Sequence, residues 1–452
     1  MARERGGGSA NLRVSTPTEE RAPVITDPIA ISQRFARLPG VVVLGIEDEH
    51  ELFVVHVELP RRDAACSSCG TMAVVKDRSR VELVDLCIFG DSARLVWHKR
   101  RFCCSDLDCG RGSWTEVDRR IAAPRLKLTD RAGRWVTLQV GRHGRSVAEV
   151  ARELGCDWHT VNDAVLAYGE VLVEHPARFD EVTALGLDEV AFVRDGPYRV
   201  TKFSTSIVDV ERGQLLDVVP GRGGDEPRRW LMDRDQEWRD GVAFATLDLS
   251  GAYRSVFDAC LPRATQVADP FHVVKLANEK LDETRRRVQN ETLGHRGRKH
   301  DPLYRCRRLL TRAEERLSEN GREKLMGLLA AGDPHGDVAT AWHAKEAVRE
   351  LYGHQDEALA LEWVDALADD LTDSQRPLEV RSLGRTLQRW RLQITAWHRC
   401  HFTNGPTEAM NNLIKRVKRV AFGFRRFRHY RIRALLYAGK PDWSLLKAIA
   451  PR

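Results

Sequence analysis

Between residues 182 and 290, runs of two different periods alternate, and two aspartates stand where apolar runs should exclude them. The stretch VTALGLDEVAFV is β-type, with Asp188 near its centre. YRVTKFSTSIVDV and GQLLDVVPG read as a hairpin, and DEPRRWLMDRDQEW reads as a helix. GVAFATLDLSGAY is a buried strand that reaches Asp248 just before a Ser-Gly turn and another helix. ATQVAD is a short strand leading into PFHVVKLANEKLDETRRRV. Three strands, helix, strand, helix, strand, helix confine this segment to an α/β domain. A carboxylate inside an apolar strand is costly unless hydrogen bonds or a metal ion compensate it. Each aspartate alone is explained by capping a loop at a strand end. Taken together, Asp188 and Asp248 lie 60 positions apart on strands that would be neighbours.

This element order is that of a ribonuclease-H-like core, and a third acid is expected on independent grounds. NGPTEAMNNLIKRVKRVAFGFRRFRHYRIRALLY, residues 404–437, holds one acid, Glu408. Ten Lys and Arg follow before the next acid, Asp442. On a helix, Glu408, Asn411, Asn412 and Lys415 share one face, while Met410, Leu413, Ile414 and Val417 form the apolar one. Three carboxylates are hard oxygen ligands suited to Mg²⁺ or Mn²⁺. Two such ions about 3.5–4 Å apart activate a water or a 3′-hydroxyl for attack on a phosphodiester. Nucleic acid must then be held against phosphate–carboxylate repulsion, which Lys415, Arg416, Lys418, Arg419, Arg425, Arg426 and Arg428 can do. The alternative for this run is a solvated helix face. Phe422, Phe424, Phe427 and Tyr430 can stack on splayed bases, although packing into a core is the commoner use of such residues. Between Asp248 and Glu408 a series of helical stretches predicts an all-α insertion at about residues 285–400. Its tryptophans 342, 363, 390 and 397 are read as core anchors.

The N-terminal third carries Cys66 and Cys69 as C-x-x-C and Cys104 and Cys109 as C-x-x-x-x-C. Two such pairs can close a tetrahedron around structural zinc. Gly70 and Gly110 follow the last cysteine of each turn, and an apparent hairpin about Gly90-Asp91 lies between the pairs, as in a zinc ribbon. The alternative is a cluster of reduced, buried cysteines. Cys103 competes with Cys104 for one place; Cys104 is chosen, and Cys87 is assigned to the core. SVAEVARELGCDWHTVNDAVLAYGE, residues 146–170, then reads as helix, Gly turn, helix, with Ser146 and Asp157 as caps. As a helix-turn-helix it would present His159, Thr160 and Asn162 to base edges; the alternative is an ordinary helical hairpin.

The chain has 452 residues and a formal charge of +7, which permits a polyanionic partner without requiring one. No run is apolar enough to span a membrane, and the first residues lack the apolar core of a secretory signal. Residues 1–27 are expected to be a disordered tail, a misplaced start or a cloning scar, and a cytoplasmic, nucleoid-associated location is expected. The remaining expected boundaries are a β-rich zinc-ribbon domain at 28–118 and a helix-turn-helix at 119–175. The α/β core follows at 180–284, the insertion at 285–400, and the catalytic helix with the basic part at 401–440.

The four cysteines, the helix-turn-helix, LGLDEVAF, TLDLSGAY, VADPFHVVKLAN and NGPTEAMNNLIKRVKRVAFGFRRF, in that order, resemble the DDE transposases of bacterial insertion sequences, of the IS-L-three type. The resemblance covers roughly residues 38–440. It implies a ribonuclease-H-like domain with a helical insertion before the final Glu, and Asp188, Asp248 and Glu408 as the metal-binding triad. It also implies an Asp-x-x-His motif, Asp269 and His272, near the active site. The doubled Cys103-Cys104 and the N-terminal tail depart from the pattern. The expected activity is DNA transposition: binding of terminal inverted repeats in double-stranded DNA by at least a dimer, then Mg²⁺-dependent cleavage and strand transfer. The rival expectations are a nuclease or resolvase without strand transfer, and a non-enzymatic zinc and helix-turn-helix regulator.

Overall fold

The computed structural model describes residues 26–449 and 451, apart from 39 and 50. The expected tail therefore lies almost wholly outside the described residues. Its last member, Asp27, instead caps a helix, accepting the Ala30 N–H at 2.7 Å. The chain divides into two compact units, Met1–Ala122 and Ala123–Arg452. Among the described residues no helix is long and apolar enough to cross a membrane.

The first unit holds α1 (Pro28–Ala36) and five strands: β1 (Val42–Glu49), β2 (Leu52–Glu58), β3 (Ala73–Ile88), β4 (Asp91–Cys104) and β5 (Ser113–Thr115). They form one sheet ordered β1-β2-β4-β3, with β5 on β4. The β3–β4 ribbon is the expected hairpin, shifted by one residue. Ile88 pairs with Asp91, so the turn is Phe89-Gly90, with φ of 54° and 103°. Two successive positive φ values suit the right-handed twist of a two-residue hairpin, and glycine meets the second at no steric cost. Alternation then places Leu83, Leu95 and Trp97 on one face, where they pack with Leu38, Val41, Val57 and Ile121.

The second unit opens with α2 (Asp130–Thr137), α3 (Val147–Glu153) and α4 (Trp158–Val173). Ser146 and Asp157 cap α3 and α4 as expected, accepting the Glu149 and Thr160 N–H groups at 3.1 and 2.9 Å. A second sheet follows, built of β6 (Ala184–Asp195), β7 (Val200–Asp209), β8 (Gln214–Pro220), β9 (Phe244–Leu247) and β10 (Thr265–Ala268). Its order is β10-β9-β6-β7-β8. Strands β6, β7 and β8 are antiparallel, while β9 and β10 run parallel to β6. The single helix expected after β8 is broken into α5 (Asp225–Met232) and α6 (Gln236–Gly241), because Asp235 starts a new helix by accepting the Trp238 N–H. Helix α7 (Gly251–Cys260) joins β9 to β10.

Helix α8 (Pro270–Leu293) leads from β10 into an all-helical stretch: α9 (Pro302–Leu310), α10 (Glu319–Gly332), α11 (Asp337–Glu350), α12 (Glu357–Thr372), α13 (Leu378–Thr395) and α14 (Trp397–Cys400). Sequence reasoning missed α10, which Ser318 caps. One hydrophobic core joins this stretch to the sheet, running from Leu187, Ile207 and Leu247 through Val273 to Trp342, Leu383 and Trp390. Trp342 and Trp390 are buried, and Trp363 and Trp397 are partly so. Helix α15 (Gly405–Val420) returns to the sheet against β6, β7 and β8, and α16 (Phe427–Ala438) packs on α15, β8 and α4.

Candidate active site and metal centre

Strand β6 carries Asp188, and β9 ends immediately before Asp248. Asp269 and His272 open α8, and Glu408 sits in the first turn of α15. These elements are distant in sequence, yet they meet around one imidazole. His272 Nδ1 lies 3.0 Å from Asp248 Oδ1 and 2.8 Å from Asp269 Oδ2. On the other side of the ring, Nε2 lies 3.8 Å from Glu408 Oε1. Asp188 is held beside them, accepting the Glu189 N–H and the Asn411 side-chain amide, each at 2.7 Å.

Asn404, fully buried, ties the site together. Its side chain donates to Asp248 Oδ1 at 3.1 Å and accepts from Thr246 Oγ1 at 3.2 Å, while its backbone N–H donates to Asp269 Oδ1 at 3.0 Å. Both Asn404 and Asp269 occupy N-cap positions, yet neither side chain caps its helix. Sequence reasoning missed Asn404 and the anchoring role of Asn411, since an Asn preceding a helix signals an ordinary cap. Helix α15 can approach β6 only because position 186 is glycine. A Cβ there would stand 2.4 Å from Thr407 Oγ1 and 2.9 Å from Thr246 Oγ1.

The electrostatics are those of crowded acids. Burial, followed by the charge of Asp248, pushes the Asp188 carboxyl up to about 6. Burial also raises Asp248, against the opposing pull of His272 and Asn404. Burial by itself lowers His272, but the hydrogen bond to Asp269 and the charges of Asp248, Asp269 and Glu408 outweigh it and raise it overall. The pocket therefore favours positive charge. Asp188, Asp248 and Glu408 contribute oxygen donors of the hard type that a divalent cation takes. In this arrangement His272 stands between Asp248 and Glu408.

Among the described residues, one metal-ligating group has all its ligand atoms within 4.8 Å of one another: Cys66, Cys69, Cys104 and Cys109. Cys66 Sγ lies 3.8 Å from Cys109 Sγ, and Cys69 Sγ lies 3.4 Å from Cys104 Sγ. The backbone N–H groups of Cys69 and Ser68 lower the Cys66 thiol to about 6, while, against the pull of the Asp106 N–H, burial and the neighbouring cysteines push Cys104 up to about 12, as expected of thiols that share protons. Strand parity excludes Cys103 from the group. It pairs with Val74 and Ser113 on the opposite side of β4 from its neighbour. Gly70 has a positive φ of 77°, and in the second turn the positive φ, 62°, falls on Gly112 rather than Gly110. Four soft donors so gathered fit zinc.

Of the residues expected to meet nucleic acid, Lys415, Arg416, Arg419, Arg425, Arg426 and Arg428 are exposed. Arg428 is paired with Glu170 at 2.6 Å, and Lys418 is tied to the Ala191 carbonyl. On α4 the expectation needs correction. His159 is exposed, but Thr160 and Asn162 are buried, and the Thr160 hydroxyl is already engaged, donating to the capping Asp157 at 2.7 Å. The side chains that α4 offers in its first turns are instead Trp158, His159 and Asp163. Phe427 and Tyr430 pack with Phe192 at ring separations of 5.3 and 4.8 Å, and Phe424 packs on Tyr430 at 5.7 Å, as core aromatics do.

Comparison with known proteins gives the chain a family. A family model described as a transposase, of the DDE IS-L-three kind, matches residues 185–434, more than half of the chain. The transposase for insertion sequence element IS1001 of Bordetella parapertussis is 25% identical over 395 residues, covering 84% of this chain and 90% of that protein. The transposase for insertion sequence element IS1557 of Mycobacterium tuberculosis is 28% identical over 291 residues, covering 59% of this chain and 63% of that protein. A Drosophila P element transposase strand transfer complex aligns over 71% of this chain and 94% of that one. At 9% identity and a TM-score of 0.37 it is too distant to bear on the fold. The span of the family match, which reaches from the strand of Asp188 to the basic helix beyond Glu408, shows that the chain belongs to the DDE transposase family of the IS-L-three type.

Proposed function

We propose that this transposase binds the terminal inverted repeats of an insertion sequence and cleaves and joins strands at a site formed by Asp188, Asp248 and Glu408. The observation that carries the reading is the convergence of Asp248, Asp269 and Glu408 on His272, with Asp188 held alongside by Asn411. The sheet order, three antiparallel strands followed by two parallel ones, supports a ribonuclease-H-like core at 180–284. In this reading residues 285–400 are its helical insertion and 401–440 complete it. The zinc ribbon at 28–118 and the helix-turn-helix at 119–175 bind the ends. Two ends must be held together, so the active species is at least a dimer.

Mg²⁺ or Mn²⁺, when bound, would supply activation of a water or 3′-hydroxyl and neutralisation of the leaving oxygen. The chain's own residues do the rest. Asn411 and the Glu189 N–H orient Asp188, and Asn404 orients Asp248. Asp269 accepts the Nδ1 proton of His272 and so fixes the ring with Nε2 toward Glu408. From there His272 can steady that carboxylate. Lys415, Arg416, Arg419, Arg425 and Arg426 offset phosphate repulsion. Each phosphate they meet steepens the salt dependence by a slope of about −0.9. Zinc at the four cysteines would be structural.

The test is to incubate the protein with Mg²⁺ and DNA carrying its element's ends. Joined products are expected from the wild type, while Asp188→Ala, Asp248→Ala and Glu408→Ala should bind ends yet leave strands intact. Cleavage without joining would favour a nuclease, and binding without chemistry a regulator. Full activity in any one variant would remove that residue from the triad.

A further inference from the structure

We infer that Phe422 is a base-stacking residue, which inserts against an unpaired or displaced DNA base beyond the C-terminus of the catalytic helix. This rests on the DNA-binding reading above and adds a contact made with a base rather than with a phosphate.

The argument starts from how α15 ends. Gly423 N–H donates to the Lys418 carbonyl at 2.9 Å and Phe422 N–H to the Arg419 carbonyl at 3.1 Å, with Ala421 as the C-cap. This is a Schellman motif, and its left-handed position after the cap is the one glycine normally fills. Here Phe422 fills it, at φ 54°, although Gly423 follows directly. An L side chain accepts that conformation only at a cost, and burial gives nothing back, since Phe422 is 97% exposed. Its neighbours Phe424, Phe427 and Tyr430 all pack inward. An unfavourable backbone that presents a large apolar ring to solvent points to a role outside the folded chain.

Charge identifies the partner. Arg419, Arg425 and Arg426 flank the ring in sequence, all exposed, and none has a carboxylate partner among the described residues. Phe89 adopts a similar backbone and is also exposed, but its sequence neighbours Ile88, Gly90 and Asp91 offer no cation. An aromatic ring among free guanidinium groups matches a nucleobase beside its phosphates, and stacking tolerates any base. Helix α15 rises roughly 18 Å from Glu408 to its last residue, Val420, which is about five base pairs along DNA, and Phe422 lies just beyond that end.

The experiment uses the full chain and labelled duplexes of random sequence, either fully paired or carrying a short mismatched bubble that contains 2-aminopurine. The wild type should bind the bubble about tenfold or more tightly than the paired duplex and quench the probe, as base–aromatic stacking predicts. Phe422→Ala and Phe422→Gly should lose both the preference and the quenching while keeping paired-duplex affinity, and Phe422→Trp should restore them. Phe422→Gly should also melt no lower than the wild type, because glycine suits the backbone. A bubble preference that survives Phe422→Ala, a wild type with no such preference, or a marked loss of stability in Phe422→Gly would each overturn the inference. If the wild type bound no duplex at all, the DNA-binding reading would fall with it.

Discussion

Asp188→Asn should stabilise the fold while ending catalysis. Burial and the charge of Asp248 push the Asp188 carboxyl up to about 6, against about 3.9 in an unfolded chain. A shift of roughly two units means that ionising Asp188 costs the native state about 3 kcal/mol. The sign follows from linkage. Below about pH 4 the carboxyl is neutral in both states, and the substitution gains nothing. The gain grows between about pH 4 and 6 and is complete above that range. The asparagine keeps an oxygen for the Glu189 N–H. Asn411 can turn its amide to meet the new NH₂, because its own Oδ1 is buried without a partner. Allowing for residual solvent at a partly exposed side chain and an imperfect exchange of hydrogen bonds, about 1–3 kcal/mol remains. At about 2 °C per kcal/mol for a unit of this size, the melting temperature should rise by about 2–6 °C. The assay is thermal unfolding at pH 7.5 and pH 4 without added Mg²⁺. Added Mg²⁺ should then raise the wild type more than the variant, by mass action. A variant that melts lower at pH 7.5, or gains equally at both pH values, would refute the reasoning.

Other expectations follow from particular contacts. Cys104→Ser should weaken zinc retention by more than the roughly 10–100-fold that outer-shell changes cost, measured by metal analysis, whereas Cys103→Ser should retain zinc. Gly186→Ala should force α15 away from β6, costing about 1–3 kcal/mol in chemical unfolding and abolishing strand cleavage with it. Asn404→Ala leaves Asp248 without its amide donor and removes the anchor on Thr246, so it should cost about 1–3 kcal/mol in chemical unfolding.

Much of the architecture was legible because periodicity reports burial. Asp188 stood out as a charge inside an apolar strand, and Asp248 as one at a strand end. Their convergence required only that β6 and β9 be neighbours, which they are. What was not legible depends on where a side chain goes once the helix ends are placed. Asn404 and Asp269 look like caps in sequence, but tertiary partners divert them from capping. Thr160 and Asn162 look like recognition residues because a helix start is legible, but which of its faces packs inward is not. Choosing Cys104 over Cys103 becomes certain only with the β3–β4 register, since parity along β4 decides which thiol meets the other turn. The break between α5 and α6 turned on Asp235 acting as a cap within an otherwise helical pattern.

The most direct test of the shared cation site is equilibrium binding of Mn²⁺, read by electron paramagnetic resonance on zinc-loaded protein. Asp188→Ala, Asp248→Ala and Glu408→Ala should each weaken uptake by about tenfold or more, because each removes an oxygen ligand. Mn²⁺ taken up by all three variants as tightly as by the wild type would contradict the account.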